Sequence, residues 1–262
     1  MTADNHIHTA FSPDGEGESE TFVLRAISCG MRHLIFTEHV DNLYCDPAFG
    51  QADLEKYFAR VRALREKYRD RIYIGAGLEV GYTTQNKLLN IELLETYRPD
   101  YVINSVHQVG ANDCWFAAYF ADKTPREACR AYLAAVRESL DAPYPFHAVG
   151  HIGYVLRNAP FDTFLLPDFA AEIDDILRVI VQKGLILEIN TSCRKPWLVT
   201  VPERGVIERY VALGGRKLNF ASDAHRPEDV GRSYAVARDT ALSCGITHQT
   251  VLQNGKEVSL PF

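Results

Sequence analysis

Short apolar runs rich in β-branched residues alternate with helical stretches along the whole chain, and this alternation limits the possible folds more than any other feature. The pattern predicts strands at residues 3–8, 33–39, 71–80, 100–109, 147–155, 185–192 and 217–225. It predicts helices at residues 19–29, 52–69, 86–96, 125–140, 167–183, 202–213 and 227–244. Strand and helix repeated in this way are typical of a parallel sheet covered by helices, either closed as a barrel or open and doubly wound.

The sequence shows no boundary between domains. Its 262 residues, 47% of them hydrophobic, are enough to bury a large core in one barrel-sized domain or in two smaller ones. However, no shift in composition and no linker divides the chain. We therefore predict a single domain over residues 1–262.

Polar side chains recur at or near the C-terminal ends of the predicted strands. These residues are His39, Glu79, His107, His151, Asn190, Asp223 and His225. In a parallel barrel the C-terminal ends of all strands converge on one mouth, whereas an open sheet spreads them along a crevice. The recurrence therefore favours an α/β barrel with one site at this mouth.

Two triplets at opposite ends of the chain have the spacing of metal ligands. His6 and His8 flank Ile7, and Asp223 and His225 flank an alanine. On an extended strand, a residue and its second neighbour point to the same side, so each triplet can direct two donors at one point. Both middle residues are apolar, which fits a buried opposite face.

The candidate metal donors are more numerous than one ion can use. They are His6, His8, Asp14, His39, Glu79, His107, His151, Asp223 and His225. Zinc takes about four ligands and the octahedral metals about six, so two or three divalent ions are predicted. Mixed imidazole and carboxylate donors suit Zn, Mn or Fe better than Ca or Mg.

Charge and hydropathy exclude several kinds of partner. The net charge of -6 and the pI near 5.9 provide no basic field for nucleic acid, so any bound anion must be met by a local site. No apolar run approaches the roughly 18 residues of a membrane span, and residues 1–8 lack the apolar core of a signal peptide. We predict no nucleic-acid or membrane partner and a cytoplasmic location.

A series of short motifs resembles one known family. The motifs are HIHTAFSPDG, TEH, GLEVGY, NSVHQV, GHIGYVLR, INTSCRKP and SDAHRPEDVG, in this order. They resemble the polymerase and histidinol phosphatase (PHP) superfamily, most closely its histidinol-phosphate phosphatases. The resemblance runs from Asp4 to about Gly245 and implies a distorted (β/α)7 barrel. It also implies metal-dependent hydrolysis of L-histidinol phosphate, a small phosphate monoester, to L-histidinol and phosphate in histidine biosynthesis.

The resemblance further assigns the donors to three ions. The implied ligand sets are His6, His8, Glu79 and Asp223 for the first ion, Glu79, His107 and His151 for the second, and Asp14, His39 and His225 for the third. Some members of the superfamily have histidine where this chain has Asp14. Aspartate at this position resembles the histidinol phosphatases.

The resemblance also implies that Arg157 and Arg194 bind the phosphate. Each follows a strand end by a few residues, and a guanidinium can hold phosphate with two parallel donors. The alternative is that they form surface salt bridges or contact a helix C-terminus. The mechanism expected for the family is in-line attack of a metal-bridging hydroxide on phosphorus. Protonation of the leaving alkoxide could come from Asp223, His225 or a metal-bound water, and the sequence does not decide among them.

Further residues are expected to shape the site. Segments 41–50 and 110–124 follow strand ends and are rich in aromatic residues, so they are expected either to wall the substrate pocket or to pack onto the barrel or a neighbouring subunit. The sequence leaves open whether the chain forms a homo-oligomer. Glu38 and Asn190 are candidates for orienting the metal ligands.

Three alternative functions are compatible with parts of this pattern. The first is a PHP phosphoesterase that acts on another small monoester, a nucleotide or an oligonucleotide end. The second is an amidohydrolase-like metal hydrolase, which also has an HxH motif on its first strand but typically uses a bridging carbamylated lysine that is not found at a strand end here. The third is a non-catalytic metal-binding barrel, although such barrels usually lose several ligands.

Overall fold

The computed structural model describes residues 1–193 and 195–262. Its strands, in chain order, are β1 (Ala3–Asp4), β2 (His33–Val40), β3 (Tyr73–Gly81), β4 (Tyr101–Ser105), β5 (Gln108–Val109), β6 (Asn112–Asp113), β7 (Ala148–Val149), β8 (Ile186–Asn190), β9 (Leu218–Ala221), β10 (His248–Gln253) and β11 (Lys256–Pro261). Seven of them form one sheet, in the order β1-β2-β3-β4-β7-β8-β9. All six pairings in this sheet are parallel.

The first and last strands of this sheet approach each other. The backbone N–H of Asn5 donates to the carbonyl oxygen of Phe220 at 3.2 Å, and Ile7 forms a parallel bridge with Ala224. The sheet is therefore a nearly closed barrel of seven parallel strands. This confirms the predicted barrel and excludes the open sheet.

Helices cover the outside of the barrel. They are α1 (Ser19–Ser28), α2 (Leu54–Tyr68), α3 (Lys87–Tyr97), α4 (Ala117–Phe120), α5 (Pro125–Ser139), α6 (Leu165–Lys183), α7 (Arg204–Ala212) and α8 (Tyr234–Ser243). Short 3-10 helices lie at Pro47–Phe49, Tyr154–Leu156 and Pro227–Asp229. Within the described chain, no helix combines the length and apolar character that a bilayer span requires.

Buried side chains form one large core and one small cluster. The large core packs the apolar faces of the helices against the outer face of the strands. The small cluster fills the inside of the barrel, and it consists of Ile35, Tyr101, Ile103, Ala148, Ile186 and Leu252. Leu252 comes from the hairpin of β10 and β11, so this hairpin packs against the interior of the barrel. The sequence analysis did not predict it.

Several predicted elements are shorter in the structure, for local reasons. The strand predicted at 147–155 is only Ala148–Val149, and Gly153 behind it has φ +118°, a left-handed conformation that ends extended structure. The helix predicted at 227–244 begins only at Tyr234, because Ser233 directly before it has φ +53°. Both interruptions follow strand ends, where loops must turn over the mouth of the barrel.

Candidate metal centre

The ends of the barrel strands bring the predicted donors together. His39 lies on β2 directly opposite Glu79 on β3 in the parallel register. His107 and His151 follow β4 and β7 by two residues, and Asp223 follows β9 by two. All of these positions are at the C-terminal ends of strands, as predicted.

The first donor group has the spacing of a tetrahedral metal site. His6 Nε2 lies 3.0 Å from His8 Nε2 and 3.2 Å from Glu79 Oε2. Asp223 Oδ1 is 3.8 Å from His6 Nε2 and 3.4 Å from His8 Nε2. Ligands about 2.1 Å from a zinc ion at tetrahedral corners are about 3.4 Å apart. These four side chains can therefore hold one ion.

Glu79 faces a second donor group with its other oxygen. Glu79 Oε1 lies 3.2 Å from His107 Nε2 and 2.7 Å from His151 Nε2, and these two nitrogens are 3.4 Å apart. The Ser105 hydroxyl donates to the same oxygen at 2.6 Å. Glu79 Oε2 also lies 3.0 Å from His39 Nδ1. Because its two oxygens face different sets of histidines, Glu79 has the geometry of a bridging carboxylate.

The third predicted group lies nearer the mouth. His225 Nε2 is 3.3 Å from Asp14 Oδ2, and His39 Nε2 is 3.7 Å from Asp14 Oδ1. The ring of His8 contacts the rings of both His39 and His225, at centroid distances of 4.0 and 4.4 Å. His8, His39 and His225 also converge closely enough to hold an ion. The structure thus brings all nine predicted donors into one cluster.

Two buried carboxylates in this cluster were missed in the sequence. Asp41 Oδ1 lies 2.8 Å from His107 Nδ1, and Asp41 also belongs to a potential metal group with His39 and His107. Glu188 Oε2 lies 2.8 Å from His6 Nδ1. Each stands two residues from a residue already singled out, Asp41 after His39 and Glu188 before Asn190. Period-two alternation places such pairs on one face of a strand, and this pattern could have identified both.

Glu38 and Asn190, the residues expected to orient the ligands, both take part in hydrogen-bond networks around the cluster. Glu38 is fully buried and accepts hydrogen bonds from the Thr9 backbone and hydroxyl and from the Ser12 hydroxyl. Ser12 Oγ in turn lies 3.3 Å from His8 Nδ1. Glu38 therefore supports His8 from behind through Ser12.

Burial and neighbouring charges shift the pKa values inside the cluster. Burial opposes protonation of His107, but the carboxylates of Asp41 and Glu79 outweigh it and raise the pKa of His107 to about 10. Burial favours the neutral acid at Glu79, yet the facing imidazoles hold its pKa well below the ordinary range. Burial and the neighbouring imidazoles lower the pKa of His8. Glu79 is therefore ionised, which is the state in which a carboxylate can bind a metal.

Arg157 lies beside the first donor group and is buried. Its Nη2 donates to Asp223 Oδ2 at 2.9 Å and to Asn190 Oδ1 at 2.7 Å. Its buried Nε has no hydrogen-bond partner among the described residues. The guanidinium therefore keeps donor capacity next to the cluster. Arg194, the other predicted phosphate ligand, lies outside the described residues.

A cavity of about 620 Å³ opens above the cluster. Its walls include Tyr44, Phe49, Trp115, Phe116 and Tyr154. The two aromatic segments therefore do wall the cavity, but only in part. The two other aromatic residues of the second segment, Tyr119 and Phe120, are buried in the core instead.

Comparisons with known proteins agree with this geometry. A family model described as PHP domain matches residues 4–192. A probable histidinol-phosphatase from Clostridium acetobutylicum is 28% identical over 253 residues, which cover 94% of this chain and 95% of that protein. A histidinol-phosphatase from Lactococcus lactis is 28% identical over 258 residues, which cover 97% of this chain and 95% of that protein.

A solved structure is similar over the whole length of the chain. It is a histidinol phosphate phosphatase from Lactococcus lactis subsp. lactis, in complex with zinc, L-histidinol and phosphate. It aligns with a TM-score of 0.88 and 26% sequence identity, and the match covers 98% of this chain and 100% of that one. The two chains therefore share one barrel fold.

Proposed function

The chain belongs to the PHP domain family, and from this premise we propose that it is a metal-dependent phosphatase that hydrolyses L-histidinol phosphate to L-histidinol and phosphate. The observation that carries the proposal is the bridging geometry of Glu79, whose two oxygens face two separate sets of histidines. The relatives named as histidinol-phosphatases match nearly the full length of the chain, which supports the choice of substrate.

We propose that two or three divalent ions, of Zn, Mn or Fe, bind to the donor cluster. The ligands would be His6, His8, Asp14, His39, Glu79, His107, His151, Asp223 and His225. Zinc is favoured among these metals because the similar solved structure contains it. When bound, the ions would act as Lewis acids on phosphate and lower the pKa of water so that a nucleophile forms at neutral pH.

Arg157 is the proposed phosphate ligand among the described residues. Its guanidinium donates to Asp223 through Nη2, and Arg157 is one of the residues that line the cavity. A charge-assisted hydrogen bond from a fixed arginine stabilises the negative charge on the phosphate oxygens. Arg194 remains a proposed second phosphate ligand on the basis of its motif alone.

Asp223 and His225, which both line the cavity, are the proposed catalytic groups. Asp223 contacts both the histidine pair through Oδ1 and Arg157 through Oδ2, so it links the metal donors to the phosphate ligand. His225 Nδ1 lies 3.0 Å from the carbonyl oxygen of Asp223, to which it can donate. That bond would leave Nε2, the nitrogen beside Asp14, free to bind a metal.

The aromatic wall suits the imidazole end of histidinol phosphate. Tyr44 contacts Phe49, and Trp115 contacts Tyr154, in the wall of the cavity. Planar rings of this kind can stack on an imidazole. The cavity is therefore suited to a small aromatic monoester.

We also propose that residues 1–262 form one domain. The family model ends at residue 192, but β9 lies beyond it, pairs with β8 and contacts β1. Without this last strand the barrel would lack both its closing edge and Asp223. The C-terminal hairpin adds Leu252 to the barrel interior.

Phosphate release from L-histidinol phosphate tests the proposed function. The rate should be compared with rates on a panel of other monoesters, nucleotides and diesters, with and without a chelator. We expect a clear preference for histidinol phosphate that the chelator abolishes. Similar rates across the panel would instead indicate a phosphoesterase with another substrate, and activity that survives chelation would contradict the metal mechanism.

A further inference from the structure

Glu188 is a buried carboxylate to which the sequence analysis gave no role. It lies on β8, and its side chain has no exposure to solvent. Its Oε2 is 2.8 Å from His6 Nδ1. Its Oε1 accepts hydrogen bonds from the backbone N–H of His151 at 3.2 Å and from Asn190 Nδ2 at 2.8 Å. One carboxylate thus contacts three groups around the candidate metal centre.

These contacts fix the tautomer of His6. A carboxylate can only accept hydrogen bonds, so the ring nitrogen facing Glu188 must carry the proton. His6 Nδ1 is this nitrogen, and in the neutral ring Nε2 is then left with its lone pair. Because Nε2 lies 3.0 Å from His8 Nε2 and 3.2 Å from Glu79 Oε2, the lone pair is available inside the first donor group.

The same carboxylate fixes the orientation of Asn190. The amide nitrogen of Asn190 donates to Glu188, so its amide oxygen must point the other way. That oxygen accepts from Arg157 Nη2 at 2.7 Å. The Asn190 nitrogen also lies 3.2 Å from Asp223 Oδ2. A chain of hydrogen bonds therefore runs from Glu188 through Asn190 to the proposed phosphate ligand.

We propose that Glu188 is a positioning residue for both the metal-binding part of the active site, at His6, and its phosphate-binding part, at Arg157. It sets the metal-binding tautomer of His6 directly, and it sets the position of Arg157 through Asn190. The proposal rests on the proposed function, because it assigns His6 to a metal and Arg157 to phosphate.

Glutamine at position 188 tests the proposal directly. Its side chain has nearly the same shape as that of glutamate, but it carries one acceptor oxygen and one donor NH₂ group in place of two acceptor oxygens. If its oxygen faces His6, its NH₂ group meets two donors, the N–H of His151 and the NH₂ of Asn190. If its oxygen faces those donors, its NH₂ group donates to His6 Nδ1 and the ring proton moves to Nε2. In the first orientation two donors conflict, and in the second His6 cannot bind a metal through Nε2.

The experiment compares Glu188→Gln with Glu203→Gln as a matched control. Glu203 is also a buried carboxylate, but it accepts backbone N–H groups of Leu165 and Leu166 away from the cluster. The metal-depleted proteins are titrated with zinc against a chromophoric chelator, and the inhibition constant of inorganic phosphate is measured with the zinc-loaded enzymes. We expect E188Q to bind zinc about 10- to 100-fold more weakly and to bind phosphate more weakly, with E203Q unchanged in both.

Asn190→Ser separates the effect of Glu188 on Arg157 from its effect on His6. Serine is too short to bridge Glu188 and Arg157, so the phosphate inhibition constant should rise several-fold while zinc affinity changes much less. Equal zinc affinity in folded E188Q and wild type would overturn the proposal. Loss of stability in E188Q without loss of zinc affinity would show a merely structural role and would overturn it as well.

A measurement on the wild type covers the case in which E188Q does not fold. Long-range ¹H–¹⁵N spectra of the zinc-loaded protein, labelled in histidine, report which ring nitrogen carries the proton, and His6→Gln identifies the signal. We expect His6 to be protonated at Nδ1, and protonation at Nε2 would overturn the proposal. A wild type that binds no zinc or does not hydrolyse histidinol phosphate would instead contradict the proposed function, so the two failures are distinguishable.

Discussion

At the scale of single residues, several histidines of the cluster contact a hydrogen-bonding group through the ring nitrogen that faces away from the other donors. Asp41 holds His107 through Nδ1, and Ser12 lies beside Nδ1 of His8. Such partners fix the tautomer and the ring orientation before a metal binds. The site is therefore preorganised by groups that do not themselves belong to the predicted ligand set.

Arg157→Lys tests the proposed phosphate ligand. Lysine keeps the positive charge but loses the planar guanidinium, whose Nη2 now donates to both Asp223 and Asn190. We expect the inhibition constant of inorganic phosphate to rise about 10- to 100-fold, because a charge-assisted hydrogen bond contributes about 1.5–3 kcal/mol. Zinc content, measured on the same samples, should stay unchanged.

Arg226→Lys is the control for this substitution. Arg226 also lines the cavity, but it is half-exposed at the mouth, where Nη2 pairs with Glu16 at 2.7 Å. Its replacement should leave the phosphate inhibition constant within about twofold of wild type, since exposed ion pairs contribute little. Equal effects of both substitutions would contradict a specific role of Arg157.

His33 provides a pH-dependent contribution to stability outside the metal centre. It is buried at the start of β2, stacks on Tyr73, and neither ring nitrogen has a hydrogen-bond partner among the described residues. Burial lowers its pKa from 6.5 to about 3. Below pH 6.5 the unfolded chain therefore binds a proton that the folded protein does not, so stability falls as the pH falls from 6.5 towards 3.

His33→Phe should remove this dependence. Because His33 is protonated only in the unfolded chain, it lowers the free energy of unfolding of the wild type by about 1.4 kcal/mol at pH 5.5 relative to pH 7.5. Urea unfolding of metal-depleted protein at the two pH values measures this difference, which should be smaller by that amount in the variant. His248→Gln, at an exposed position on β10, should behave like wild type. An identical pH response in all three proteins would contradict the account of His33.

At the scale of elements, the sequence predicted the order of the strands and the residues at which they begin better than their lengths. The donors at His39, Glu79 and Asp223 follow apolar runs, and parallel strands must bring those ends together. Strand length was harder to predict because it depends on contacts between distant segments. Gly150 illustrates this, since a side chain there would collide with the Ser105 hydroxyl at 2.1 Å, which no local pattern reveals.

The C-terminal hairpin has a local sequence pattern from which its turn could have been predicted. Asn254 and Gly255 lie between β10 and β11, and both have positive φ angles, of 52° and 72°. Asn-Gly between alternating residues is typical of a two-residue hairpin turn. In contrast, the packing of Leu252 against the barrel interior could not be predicted, because it depends on the closed barrel.

Gly81→Ala tests how closely β3 must approach the metal centre. A Cβ atom at this position would lie 1.8 Å from Asp41 Oδ1, so Asp41 would have to leave His107. We expect zinc affinity to fall about 10- to 100-fold, as when the partner of a ligand histidine is lost. Overpacking should also lower the free energy of unfolding by about 1–3 kcal/mol. Zinc titration and urea unfolding measure the two effects.

Gly205→Ala is the matched control. Gly205 lies in α7, and a Cβ atom there meets only the end of the flexible Leu166 side chain, at 3.0 Å. Alanine in a helix is favoured over glycine by about 1 kcal/mol, so this variant should be as stable as wild type or more stable. Unchanged zinc affinity in G81A would show that Asp41 does not support the site.

At the scale of the whole molecule, the donor cluster connects the two edges of the barrel. His6 and His8 follow β1 and Asp223 follows β9, and these are the strands between which the sheet is only nearly closed. The two edges have few backbone hydrogen bonds in common, so side chains at the mouth contribute to closure. An ion shared by these residues would link the first strand to the last.

Metal removal should therefore destabilise the entire fold rather than the mouth alone. An ion present at 100 times its dissociation constant stabilises the folded state by about 2.7 kcal/mol, and for a chain of this size each kcal/mol changes Tm by roughly 2–4 °C. We expect a chelator to lower the Tm of the zinc-loaded protein by about 5–10 °C in a single cooperative transition, measured by calorimetry. Glu203→Gln should keep this shift, whereas Glu79→Gln should lose most of it, because the bridging carboxylate faces both histidine groups. A chelator that removes the zinc without changing Tm would show that the barrel closes independently of its metal centre.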